Sequence, residues 1–355
     1  MDETTFRILE TLAENMGQEM SIKTLTESIQ RSHGSAHYSN IYDKVQQISK
    51  DKMITLNKAG NTYRISLNFF DYWIVDLLTQ MEIMKKQKLL MEHPRILHLL
   101  SEIENVAQAI PNMSSISAIR PIRNEAVNRL ELLVLIKDGI SSDSEERTRR
   151  LTDYAIDLMR RGGGTKIDSL LLEESEFRTM LSSREKSPAR EMIGDKLAFF
   201  GAQHFWMTIK SAVEKGIWIR AERQETIPSK ISEKDLVYNM ARFGYKELGR
   251  TMELGTDFSV EFVVAAMLAK GQARLVEAVP VILAKQKANY NVLFFLAQKF
   301  RFLELLLAVL DALLVVLPRD KDEVGYLMQT IKKMKIKTTM ILNTNSIEEK
   351  IRLYK

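Results

Sequence analysis

The chain reads as an α+β multidomain protein on three observations. Apolar residues recur at three- and four-residue spacing through the first fifty positions, the period turns strand-like from about residue 113, and beyond a polar, proline-containing segment (222–232) it is helical nearly to the end. The 355 residues make room for two or three domains, and a content of 45% hydrophobic and 27% charged residues supplies a core. The absence of cysteine excludes disulfides and thiolate metal sites and fits a reducing cytoplasm. The acidic, amphipathic start MDETTFRILE is not that of a signal peptide. Residues 290–317 are apolar, but Lys299, Arg301, Glu304 and Asp311 interrupt them short of the roughly 20 residues a membrane span needs, so buried helices are expected instead.

Phe6, Leu9, Ala13 and Met16 form one apolar stripe and predict the first helix. Ser21 can cap a second helix, with Leu25 and Ile29 turned inward. After the break RSHGSA, Ser35 can cap a third helix that starts near Ala36 or His37, with Ile41, Val45 and Ile48 as its inner face. Residues 53–56 and 62–67, the latter with alternating Tyr63, Ile65 and Leu67, flank a turn at Lys58-Ala59-Gly60-Asn61 and read as a β-hairpin. Charge steps within this unit. Residues 1–30 hold two basic and six acidic side chains, whereas residues 31–67 hold six basic and two acidic ones. Positive charge thus gathers in the half that carries the third helix and hairpin, as on a surface that meets a polyanion.

Helix, helix, helix, hairpin in this order resembles the winged helix-turn-helix, over residues 1–68. The resemblance implies a third helix in the major groove of double-stranded DNA and a hairpin acting as the wing. With Ile41, Val45 and Ile48 inward, the outer side presents Ser39, Asn40, Asp43, Gln47 and Lys50, flanked by Lys44, with Ser35 and His37 at the exposed start. Asn and Gln suit adenine edges, and Lys suits guanine or phosphate. Lys58 and Arg64 on the wing would reach the backbone, whereas Asp43 opposes phosphate unless it meets a cytosine amino group. Winged helices also serve as protein–protein modules, and that alternative stays open. Gly34 separates His33 from His37 and breaks any shared helix face, so no metal site is expected there.

Residues 69–92 form a connector. Phe69, Phe70, Trp73, Ile74, Leu77, Leu78 and Met81 make a helix over 68–88 too apolar to stand alone, so it packs on the N-terminal unit or on its own copy in a homodimer. Pro94 marks the start of a helix from about His93 to Ala109. Strands are expected at 115–122, 129–136 and 166–172. A helix is expected at 144–161, ended by Gly162-Gly163-Gly164, and another at 176–181.

This order, with ESEFRTML at 174–181 and FFGAQHFW at 199–206, resembles the small prokaryotic nucleotidyltransferase domain of the polymerase β-like superfamily across 93–215, about a third of the chain. Such domains use two divalent ions held by an Asp-x-Asp pair and a third carboxylate, behind a Gly-Ser turn. In this chain the Asp-x-Asp position reads Arg129-Leu130-Glu131, and the Gly-Ser position falls near Ser117-Ala118. There is no glycine between Gly60 and Gly139, and no aspartate between Met113 and Lys137. Glu131 and Asp168 remain as candidate metal ligands, but Arg129 sets a permanent cation where a ligand should stand. The resemblance therefore implies a catalytically degenerate domain over 93–221.

Beyond residue 232, helices are expected at 233–253, 259–269, 272–285 (kinked or restarted at Pro280), 291–300, 303–317 and 321–333, an all-α domain over 233–355. Lys332, Lys333, Lys335 and Lys337 form a basic run, read first as a solvated helix end. Three functions remain open. The first is a DNA-binding, regulator-like protein that needs no cofactor and uses the degenerate domain for a nucleotide or protein partner. The others are an active nucleotidyltransferase using Mg²⁺ and a protein-interaction scaffold.

Overall fold

The computed structural model describes residues 1–17, 19–60, 62–94, 96–109, 112–119, 129–139, 146, 150, 153–154, 166–194, 196–222, 224–246, 254–316 and 321–353. The fold is mixed α and β, with two small sheets and a largely helical remainder. It divides into two compact units. One comprises Met1–Lys137, Glu173–Ser182 and Ala189–Glu225, and the other comprises Asp138–Leu172, Ser183–Pro188 and Thr226–Lys355. The segment 93–221 is thus distributed over both.

The first unit opens with α1 (Glu3–Glu14), β1 (Met20–Ser21), α2 (Ile22–His33), α3 (Tyr38–Lys50), β2 (Ile54–Ala59) and β3 (Thr62–Leu67). Asp2 caps α1, its side chain accepting from the Thr5 amide at 3.0 Å, and Ser21 caps α2 through Thr24. The buried face of α1 is Ile8, Leu9, Leu12 and Met16. Phe6 and Ala13, expected in that stripe, are only half-buried. Two apolar stripes overlap on this helix, and the one facing α2 and α3 is the more enclosed. Leu25, Ile29, Ile41, Val45 and Ile48 are buried as expected. Each such burial contributes about 1.5–3 kcal/mol. The three strands are antiparallel in the order β1-β3-β2. Ala59 pairs with Thr62, so β2 runs three residues past the expected end at Leu56 and leaves a two-residue loop.

Next come α4 (Trp73–Glu92) and α5 (Ile96–Ala109). α4 packs against α1 and, more extensively, against β7 (Lys196–Phe200) and α8 (Ala202–Glu214). β4 (Met113–Ile119) pairs antiparallel with β5 (Arg129–Ile136) on one side and with β7 on the other. β6 (Lys166–Glu173) leads into α6 (Glu174–Ser182), and α7 (Pro188–Gly194) precedes β7. Gly201 joins β7 to α8 at φ +64°, and a Cβ there would lie 2.0 Å from the Ser114 carbonyl oxygen, so this turn requires glycine. The strand expected at 115–122 begins two residues earlier, and its last three positions lie outside the described residues. Of the helix expected at 144–161 only Glu146, Arg150, Asp153 and Tyr154 are described, each helical, and Gly162–Gly164 lie outside.

The part of the second unit from Thr226 onward opens with a short turn of 3₁₀ helix (Pro228–Lys230) and α9 (Glu233–Arg242), followed by α10 (Val260–Lys270), α11 (Ala273–Lys285), α12 (Tyr290–Phe300), α13 (Leu303–Val316), α14 (Lys321–Lys333) and α15 (Thr344–Leu353). α9 is shorter than expected. Phe243 and Gly244 turn back to bond the Asn239 and Ala241 carbonyls, which ends it at Arg242. Pro280 stands buried within a continuous α11 rather than restarting it. Asn239, fully buried, donates to the Asp235 and Thr256 carbonyls and accepts from the Phe258 amide and from Arg242, which fastens the 254–258 segment to α9. Among the described residues no helix is long and apolar enough to cross a membrane.

Candidate nucleic-acid interface

The outer side of α3 follows from the burial of its inner side. With Ile41, Val45 and Ile48 enclosed, Ser39, Asn40, Asp43, Gln47 and Lys50 are exposed, and Ser35 and His37 are exposed before the helix. Ser35 does not cap α3. The helix starts at Tyr38 with His37 at the cap position and no side-chain cap bond, and the Ser35 carbonyl accepts from Arg7 at 3.3 Å instead. α3 therefore begins without a side-chain cap on its first-turn amides.

Two of the basic candidates already have partners. Lys44 lies 2.8 Å from the Asp2 carboxylate and donates to Gln47 Oε1 at 2.9 Å. Arg64 is paired with Glu19. Burial acts to raise the Asp2 pKa, but hydrogen bonds from Lys44 and from Thr5 outweigh it and hold that carboxyl well below the usual range.

The hairpin also separates its two cations. Lys58 is opposite Tyr63, whereas Arg64 is opposite Asn57, and neighbouring positions on a strand face opposite sides. Lys58 shares its side with the buried Ile54 and Ile65, which is the side α3 packs on, and Arg64 points the other way. The exposed residues of the α3 face and the exposed Lys58 near the hairpin turn thus remain the candidate surface, with Arg64 on the other side of the hairpin.

Sequence reasoning missed Tyr38, half-exposed at the first turn of α3 and stacked on Tyr42 with ring centroids 6.2 Å apart. Its place one residue after His37 was the available signal. It also missed Asp2 and Glu19, whose pairings with cations 42 and 45 positions away leave no local trace.

The candidate metal ligands have different surroundings. Arg129 is exposed at the start of β5, and Glu131 is half-buried two residues on, both in the first unit. Asp168 is in the second unit, with its side chain wholly buried and the Lys166 ammonium at 3.4 Å. Among the described residues no group of three or more histidines and carboxylates is arranged to hold a metal ion. Searches of family models, of curated proteins and of solved structures found no match to this chain.

Proposed function

We propose that residues 1–68 form a winged helix-turn-helix that binds double-stranded DNA, and that the chain is a regulator-like protein whose nucleotidyltransferase-like region is catalytically degenerate and serves a ligand or partner. The observation that carries the reading is topological. α3 leads directly into a two-stranded hairpin, β1 joins that hairpin at the β3 edge, and the solvent side of α3 carries Ser39, Asn40, Gln47 and Lys50. A helix so placed offers hydrogen-bonding side chains to base edges, and Lys58, exposed near the hairpin turn, is available for phosphate.

Catalytic degeneracy rests on charge. In the first unit Arg129 stands two residues before Glu131 on one strand, and in the second unit the Lys166 ammonium lies 3.4 Å from the buried Asp168, so each candidate carboxylate has a cation close to it in sequence or space.

The test is a salt titration of binding to a random-sequence duplex, read by fluorescence anisotropy. Wild-type affinity should fall linearly on a log–log plot, and the Lys50→Ala, Lys58→Ala double variant should bind more weakly with a slope shallower by about 1.8, roughly 0.9 for each phosphate no longer neutralised. No binding at low salt, or a double variant indistinguishable from wild type, would overturn the reading.

A further inference from the structure

A cleft of about 210 Å³ opens in the first unit away from the α3 face. Leu12 of α1 with Met16 just after it, and the end of β3 with Phe69, form two of its walls, and the end of α8 (Val213) with the turn after it carrying Trp218 forms the third. Its base is rigid. The Met16 carbonyl accepts from the Ala221 amide at 2.9 Å, and a Cβ on Gly17 (φ +76°) would lie 1.8 Å from the Ile219 carbonyl oxygen. The cleft does not depend on the DNA-binding reading.

Three features of the lining specify a ligand. The volume exceeds the roughly 150 Å³ at which an apolar protein cavity takes up benzene, so one or two fused rings fit. Trp218 is 74% exposed, which offers an unused indole face beside an otherwise apolar wall. Glu19 is the one charged residue among the described residues lining the cleft, and Asn15, beside it in the lining, donates to the Thr11 carbonyl at 2.7 Å. Ser66 is engaged with Thr55 at 2.6 Å. The Glu19 counter-ion, Arg64, is half-exposed, so an incoming ammonium exchanges with it at little cost.

We propose that this cleft binds a small, flat aromatic amine, with its ring on Trp218 and its ammonium on Glu19. An aromatic face next to a carboxylate attracts a cation through both quadrupole and charge, and repels an anion of the same shape.

The test is isothermal titration of the full chain, without DNA, using tryptamine and its anionic counterpart indole-3-acetate. Tryptamine should bind, and indole-3-acetate should bind at least about tenfold more weakly. Trp218→Ala, a surface change that leaves the core intact, should weaken tryptamine about tenfold, and Glu19→Gln should abolish the preference between the two ligands. Arg64→Ala, which removes the competitor for Glu19, should tighten tryptamine several-fold. Absence of tryptamine binding, equal binding by Trp218→Ala, or equal affinity for the two indoles would overturn the proposal. None of these results bears on whether the α3 face binds DNA.

Discussion

Asp2 ties two helices together at once. Its carboxylate caps α1 through Thr5 and draws in the Lys44 ammonium from α3. Because the folded pKa lies below the ordinary 3.8, the stability this carboxylate gives is present above that value and is lost as pH falls through the depressed one. Asp2→Asn keeps a good capping residue while freeing Lys44. On the DNA-binding reading, the variant should bind duplex more tightly, and its log–log salt slope should steepen by about 0.9. An unchanged slope in the anisotropy titration would show that Lys44 does not reach phosphate. An aspartate just before an apolar-periodic segment is a helix-cap signal, which sequence reasoning passed over. The sequence does not display the cross-helix pair, because which lysine meets that carboxylate is decided by how α1 and α3 pack.

Elements were legible where the apolar period was long and its ends were marked. The boundaries of β5 agree with the expected 129–136, and α12 and α14 differ from expectation by at most one residue. β7 and α7 were missed because KLAFF and PAREMIG are short, and a run of five apolar-rich residues carries no period that separates strand from helix. What holds β7 to α4 was less legible still. Lys196, on β7, lies 2.6 Å from Glu82 on α4, 114 positions earlier, and the second Glu82 oxygen accepts from the Ala198 amide at 2.8 Å. The ammonium also sits 4.0 Å from the Phe205 ring centre and 4.3 Å from that of Trp206. Burial lowers the Lys196 pKa while Glu82 opposes the shift, so the ion pair is costly to form and more costly to leave half-made. Glu82→Gln should lower stability by about 3–5 kcal/mol in urea unfolding, and adding Lys196→Met should recover most of the loss. A single variant no weaker than the double one would show that the pair carries no strain.

At the scale of the whole molecule, the chain divides into two compact units, and all three tryptophans (Trp73, Trp206 and Trp218) belong to the first. Fluorescence therefore reports on one unit, whereas far-ultraviolet dichroism is dominated by helices in both. In a denaturant titration the two signals should give non-coincident curves, with a second dichroic transition that leaves the emission unchanged. Superimposable curves would mean that the units unfold as one. The division itself was hidden from sequence, because segments 138–172 and 183–188 belong with chain that starts only at 226, an interleaving no local pattern records.

The main-chain crossing at Gly17 and Ile219 has a mechanical consequence. Two stretches of backbone some two hundred residues apart meet there with no room for a single methyl group, so neither can slide without moving the other. A side chain at position 17 would have to push the Ile219 main chain aside, and with it a wall of the cleft that Trp218 lines.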